Sequence, residues 1–212
     1  MGKTRERIVD ASAELFRRQG YIGTGMKQIV AAADAPFGSL YHFFPGGKEQ
    51  LGAEVIRHAG RYYEELVMGI WDAAPDLTSA IDAVFSGAAE VLRQTDYADA
   101  CPIATIALEV ASTNEPLREA TADVFESWFV QGAARLEAAG IKRADARDLI
   151  VALLSLLEGA FLFGRATRDA VHVERAGQAA AALVRDALGR VNGSPGRAGR
   201  TRRRPTPPRR TR

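Results

Sequence analysis

Residues 24–51, "TGMKQIVAAADAPFGSLYHFFPGGKEQL", carry the pattern on which the fold turns. Met26, Ile29, Val30 and Ala33 fall on one face at helical spacing, and Thr24 ahead of them is a candidate N-cap, so a short helix is expected here. Asp34 then suits a tight turn, because aspartate tolerates left-handed backbone geometry better than most residues other than glycine. Pro36 can open the next helix, since a first-turn residue needs no amide donor. That helix should run from Phe37 to about Phe44, where "PGG" ends it. Within it Gly38 and Ser39 leave little bulk, Leu40 and Phe43 can turn inward against Ile29 and Leu15, and Tyr41 and His42 are left facing outward.

An earlier helix precedes this pair. After Thr4, a plausible cap, Ile8, Ala11, Ser12, Leu15 and Phe16 make an apolar face that stops at Gly20. A helix, then a short helix, a tight turn and a second short helix make the helix-turn-helix arrangement, whose last helix enters the major groove of DNA. Phosphate contacts fix register on the duplex, whereas base-edge contacts carry sequence information. Thr24, Lys27, Tyr41, His42 and Lys48 are the phosphate-side candidates. Phe37, Gly38 and Ser39, with Gln28 on the preceding helix, are the candidates for reading base edges, Phe37 against a thymine methyl. Lys48, just after the glycine pair, sits where a helix N-terminus and an ammonium can hold one phosphate together.

The stretch "RERIVDASAELFRRQGYIGTGMKQIVAAADAPFGSLYHFFPGGKEQL" resembles the DNA-binding domain of the TetR family of bacterial repressors. Its "AP-x-GSLYHFFPGGKEQL" portion is similar to a branch containing repressors of drug-efflux genes. In that branch position 37 is commonly lysine and is phenylalanine here, and the usual turn glycine is Asp34. The resemblance implies an N-terminal helix-turn-helix, a divergent C-terminal ligand-binding and dimerisation domain, and binding as a dimer to an inverted repeat.

Beyond the glycine pair, helical periodicity continues almost to Val191. A long helix from Lys48 to about Ala74 is followed by helices expected at about 78–95, 102–112, 116–139, 145–167 and 173–190. The fold class is therefore all-α: an N-terminal three-helix helix-turn-helix domain over 1–48 joined to a helical ligand-binding and dimerisation domain over 49–190. Residues 191–212 hold eight arginines and no acid, with no aliphatic side chain after Val191, and are expected to be a disordered Arg/Pro-rich tail.

A ligand-responsive regulator needs a cavity coupled to its DNA-reading heads, and a helical bundle supplies one between its helices. Tyr62, Leu66, Trp71, Phe85, Leu92, Cys101, Ile106, Val110, Phe125, Trp128 and Phe129 are candidate lining residues; packed core is the alternative for each. Glu109, Gln131 and Glu158 stand within apolar runs and are the candidates to orient a ligand, or else are solvated. The late segments "DARDLIVALLSLLEGAFLFGRAT" and "VERAGQAAAALVRDAL" are apolar over more than one face. Surplus apolar surface of this kind points to a two-fold subunit interface, matching an inverted-repeat operator.

Charge and composition narrow the classes further. The net charge of +2 is unevenly distributed: residues 1–48 hold seven cations against four acids, and 49–190 carry a net −9. A basic head, an acidic middle and an arginine tail suit a protein that meets nucleic acid at one end. The richest apolar stretch, 149–163, is interrupted by Ser155, Glu158 and Gly159, which argues against a membrane span. The N-terminus has no signal-peptide core, so a cytoplasmic protein is expected. The single cysteine, Cys101, excludes an internal disulfide. An enzyme is the main reading of another class, yet His42, His58 and His172 are widely separated and no Gly-rich phosphate loop or nucleophile-base set is evident. Glu54 and His58 share a helix face but do not by themselves make a metal site, so neither metal nor cofactor is expected. A third reading is a non-specific nucleic-acid-binding protein driven by the tail. The expected partners are thus a double-stranded DNA operator, a small apolar or aromatic inducer and a second copy of the chain.

Overall fold

The computed structural model describes residues 2–99 and 101–192; of the expected disordered tail, 193–212 lie outside the described residues. Among the described residues there are helices and no strands. In chain order they are α1 (Gly2–Gln19), α2 (Met26–Ala32), α3 (Phe37–Phe43), α4 (Gly47–Ala73), α5 (Leu77–Gln94), α6 (Pro102–Val110), α7 (Glu115–Ala138), α8 (Arg143–Thr167) and α9 (Val171–Asn192). The all-α expectation holds, and the boundaries fall within a few residues of the pattern.

Two starts differ. Helix α1 begins at Gly2, so Thr4 lies inside its first turn rather than capping it; the first amides of a helix can be met by water, and nothing forces the start onto a capping side chain. Helix α2 is preceded by Gly25, whose amide donates to Gln28 Oε1 at 2.7 Å. Thr24 is instead 1% exposed and donates its hydroxyl to the Gly20 carbonyl at 2.7 Å. It closes the turn after α1. Gly20 itself stands at φ +77°, a conformation that favours glycine, and a Cβ there would push the Glu109 carboxylate aside.

The residues separate into two cores. The first gathers Ile8, Phe16, Ile29, Leu40, Phe44, Leu51, Val55 and Ile56 with Ile103, Ile106, Val110, Leu117 and Val124. It therefore runs without a break from α1–α3 through the first half of α4 into α6 and the start of α7. The second gathers Trp71, Phe85, Leu92, Leu136, Leu153, Val173 and Val184 from the far end of α4 and from α5, α7, α8 and α9. Helix α4 spans both, and at Gly60 it approaches α7 so closely that a Cβ would lie 2.5 Å from Val124 Cγ2. This close seat lets the long helix carry the head on the body. Helix α8 is long and apolar enough to cross a membrane by length and composition, and little of that stretch is buried within the chain.

Candidate nucleic-acid interface

The three N-terminal helices hold one another through large side chains on facing sides. Leu40 and Phe44, four residues apart on α3 and its C-cap, are both fully buried, and Phe43 is only partly so. The inward pair is thus Leu40 and Phe44; helical spacing places them together on the side that meets Ile29, Phe16 and Ile8. Anchoring of that kind fixes which residues are left outside. Phe37 is 46% and Tyr41 49% exposed, their rings 5.7 Å apart edge to face. His42 is exposed beside them, 5.0 Å from the Phe43 ring. Gly38 is exposed, and nothing lies within 4 Å of where a Cβ would stand. Ser39 is half-buried. The outer side of α3 is therefore an aromatic pair, a bare backbone position and an imidazole, a surface able to offer apolar contact and hydrogen bonds together.

Asp34 adopts φ 46° in the turn ahead of α3, as its ability to occupy left-handed geometry suggests. Pro36 stands at φ −59° as the residue before the first turn. On α2, Lys27 and Gln28 are exposed. Gln28 has its side-chain oxygen taken by the Gly25 amide and lies 3.4 Å from Gln19 Nε2, which leaves its amide hydrogens as the groups able to reach outward.

Two phosphate-side candidates are placed otherwise than expected. Thr24 is withdrawn into the turn, and its hydroxyl is engaged with Gly20. Lys48 is half-buried, its ammonium 4.4 Å over the Tyr21 ring and 3.4 Å from the Ile22 carbonyl. Burial holds that ammonium below the usual lysine range, against the opposing pull of Glu109. To meet a phosphate, it would have to swing off the tyrosine.

The head's excess of positive charge is also largely engaged within the chain. Arg5 pairs with Glu54, Arg18 with Glu14, and Arg17 with both Glu14 and Asp99. Arg17 holds the Glu14 carboxyl below the usual range. In the Asp99 pair the acid is buried and the arginine partly so; it joins α1 to the loop before α6, a partner 82 residues away that no local pattern could supply. Lys3 and Lys27 are exposed and have no ion pair among the described residues.

The candidate ligand residues do not gather around one cavity. Phe85, Leu92, Ile106 and Val110 are packed core, and they divide between the two cores. Tyr62, Leu66 and Gln131 are exposed, Gln131 on the solvent side of α7. Phe125 and Trp128 pack on the first core, with Trp128 Nε1 donating to the Gly60 carbonyl at 3.0 Å. Phe129 is half-buried under the Arg147 guanidinium, 4.9 Å from the ring centre. Glu109 is a bridge to the head: its Oε2 accepts from the Ile22 amide at 2.8 Å. Glu158 is partly buried beside Cys101, and burial pushes its carboxyl up to about 7. The Cys101 thiol is pushed well up by burial and by that carboxyl. Trp71 is 8% exposed, and its indole N–H has no partner among the described residues. Glu54 and His58 take separate partners, Arg5 and Asp10. Two clefts lie along α4: one of about 200 Å³ between α1, Tyr62, Tyr63 and Pro102, and one of about 150 Å³ between Arg57, Gly60 and Trp128.

The profile of the bacterial regulatory proteins of the tetR family matches residues 8–55, from Ile8 of α1 into α4. Over 168 residues the chain is 35% identical to YxaF, an uncharacterized HTH-type transcriptional regulator of Bacillus subtilis, spanning 79% of this chain and 88% of that protein. The chain belongs to the TetR family. The HTH-type transcriptional regulator LmrA of the same organism is 31% identical over 79% of this chain and 89% of its own. A profile described as the C-terminal domain of LmrA/YxaF-like transcriptional regulators matches residues 78–179, from α5 into α9. The crystal structure of reduced Escherichia coli NemR superposes with a TM-score of 0.74 at 20% identity, covering 84% of this chain and 94% of that one. A TetR transcriptional regulator from Chloroflexus aurantiacus superposes with a TM-score of 0.70 at 28% identity, covering 87% and 95%. The chain is thus a helix-turn-helix DNA-binding transcriptional regulator, with the first profile covering most of α1, α2, α3 and the start of α4 and the second running from α5 into α9.

Proposed function

We propose that the chain is a repressor that binds a palindromic double-stranded operator as a homodimer and is released by a small molecule entering its body. The observation that carries the DNA reading is the outer side of α3: Phe37, Gly38, Tyr41 and His42 stand free on a helix whose other side is locked by Leu40 and Phe44. Phe37 and Gln28 would meet base edges, Phe37 through a thymine methyl; Tyr41, His42 and Lys27 would hold phosphates. The test is footprinting on DNA beside the chain's own gene, followed by gel retardation with Tyr41→Ala/His42→Ala. A protected inverted repeat and a loss of at least tenfold in operator affinity, with the oligomer unchanged, are expected. Undiminished retardation by the double variant overturns the assignment.

The dimer reading rests on α8 and α9. Leu162 and Phe163 are 60% and 58% exposed, and Val151 and Leu183 are also turned outward. Large apolar side chains left exposed on two neighbouring helices suit a protein contact, and pairing α8 with α9 across a two-fold axis would cover them in a four-helix interface. Its symmetry would match an inverted repeat.

The small-molecule reading rests on Trp71. A buried N–H without a partner costs roughly 1–3 kcal/mol, which an aromatic or apolar effector bearing one acceptor would recover. Neither cleft is lined by Trp71, and both are smaller than the roughly 300–1,000 Å³ of ordinary ligand sites; on this reading the body would open around Trp71 to admit the molecule. Titration of tryptophan emission with candidate effectors should give a saturable change that Trp71→Phe removes. A change that persists in Trp71→Phe places the effector elsewhere.

On this reading the chain would act by binding; His58 faces Asp10 and His172 lies against Phe163. Its place of action is the cytoplasm, where its DNA lies. Its arginine-rich end would add salt-sensitive affinity for any duplex.

A further inference from the structure

The turn between α2 and α3 sets the direction in which the reading helix leaves its support. It closes by two backbone bonds: the Ala35 amide reaches back to the Val30 carbonyl at 3.0 Å, and the Asp34 amide to the Ala31 carbonyl at 3.3 Å. That is the six-to-one and five-to-two pairing that ends many helices, with Asp34 at the left-handed position where glycine is usual. These bonds leave the carbonyls of Ala33 and Asp34 outside the helical ladder. A side chain from α1 takes both: Arg7 Nε donates to the Ala33 oxygen at 2.9 Å and Arg7 Nη2 to the Asp34 oxygen at 2.8 Å.

We infer that Arg7 is a positioning residue for DNA reading: its guanidinium clamps the α2–α3 turn and thereby sets the angle at which α3 is presented to the groove. The inference rests on α3 being the reading helix. The planar fork of a guanidinium offers donors in fixed relation, and here they meet two consecutive carbonyls at once. A positive charge is also favourable at the C-terminal end of α2, where the last carbonyls converge. Arg7 has no carboxylate partner among the described residues, unlike Arg5, Arg17 and Arg18. Its charge is directed at the turn. Phe37 follows Asp34 by three residues, so a change of backbone angle in the turn swings Phe37, Tyr41 and His42 together. The clamp also bears on the departure from glycine, because it holds Asp34, which side-chain sterics would push out of its positive φ.

The competing role for an exposed arginine in the head is a direct phosphate contact, and the two roles differ in salt dependence and in selectivity. The experiment uses the full-length chain, the duplex it selects from a randomised pool, and an unrelated duplex of equal length. Arg7→Met removes the fork and keeps the stem; Arg7→Lys keeps the charge. Both should lose tenfold or more in affinity for the selected duplex and less than twofold for the unrelated one, with the salt slope unchanged. Adding Asp34→Gly to Arg7→Met should recover at least threefold, since glycine holds the turn unaided. Hydrogen exchange of the Ala35 amide, read without DNA, should quicken several-fold in Arg7→Met and slow again in the double variant. Equal loss on both duplexes with a slope smaller by about 0.9 would make Arg7 a phosphate ligand and overturn the inference. Wild-type affinity in Arg7→Met would also overturn it, while leaving the DNA-reading assignment standing. A wild-type chain that selects no sequence would remove both.

Discussion

Helices α3 and α8 both expose large apolar side chains, but among different groups. On α3 the exposed Phe37 and Tyr41 stand beside His42 and a bare Gly38, so apolar area is interleaved with polar groups and open backbone. On α8 Leu162 and Phe163 extend a run that is apolar over most of its turns. On the proposed function, the first would meet a polar, grooved partner that must be read. The second is a surface that excludes water when covered. Exposed hydrophobes therefore mean little alone; the groups between them tell a reading surface from a sealing one.

The sharpest way to break this contrast is to charge the sealing surface. Leu162→Asp/Phe163→Asp should turn a dimer into a monomer by sedimentation and lower operator affinity by about two orders of magnitude, since each half-site then binds alone. A variant that remains dimeric would move the interface off α8. The paired change Tyr41→Ala/His42→Ala should give the reverse, a dimer that no longer retains its operator.

A smaller effect tests the one acid set within the apolar run of α8. Glu158 has its folded-state pKa raised to about 7, and burial is the main cause. A raised carboxyl pKa means that the fold prefers the neutral acid. Its contribution is complete below the ordinary glutamate range near 4.5 and is lost as pH rises through about 7. The loss is about 2–3 kcal/mol at most, because the side chain is only partly buried. Thermal unfolding of the wild-type chain should fall between pH 5 and 8 relative to Glu158→Gln. Parallel profiles would show that the carboxyl is solvated.

Much of the fold was legible because its signals are local. Gly20 stops α1, Asp34 turns left-handed, and Pro36 precedes α3, each from its own backbone preference. The apolar spacing of α2 and α3 and the "GSLYHFFPGGKEQL" run pointed to a candidate reading surface, and Phe37, Tyr41 and His42 stand exposed on α3. Locality also explains the misses. Phe43 and Phe44 are adjacent aromatics, and periodicity alone did not decide which of them completes the inward pair with Leu40. Thr24 carries the residue type of a helix cap, but its hydroxyl bonds backward to Gly20. Glu109 sits in an apolar run like a ligand-orienting acid, yet its partner is the amide of Ile22, 87 residues away.

The sequence by itself determined the helices, the turn chemistry between them and the membership in the TetR family, since these depend on residues near one another along the chain. The tertiary structure alone decided the division of the supposed pocket residues between two cores, the bridging of head and body by Asp99 and Glu109, and the grip of Arg7 on the α2–α3 turn. Those pairings are made across 26 to 87 positions of chain. Helical periodicity says which face of a helix is turned inward, but only packing says what that face meets.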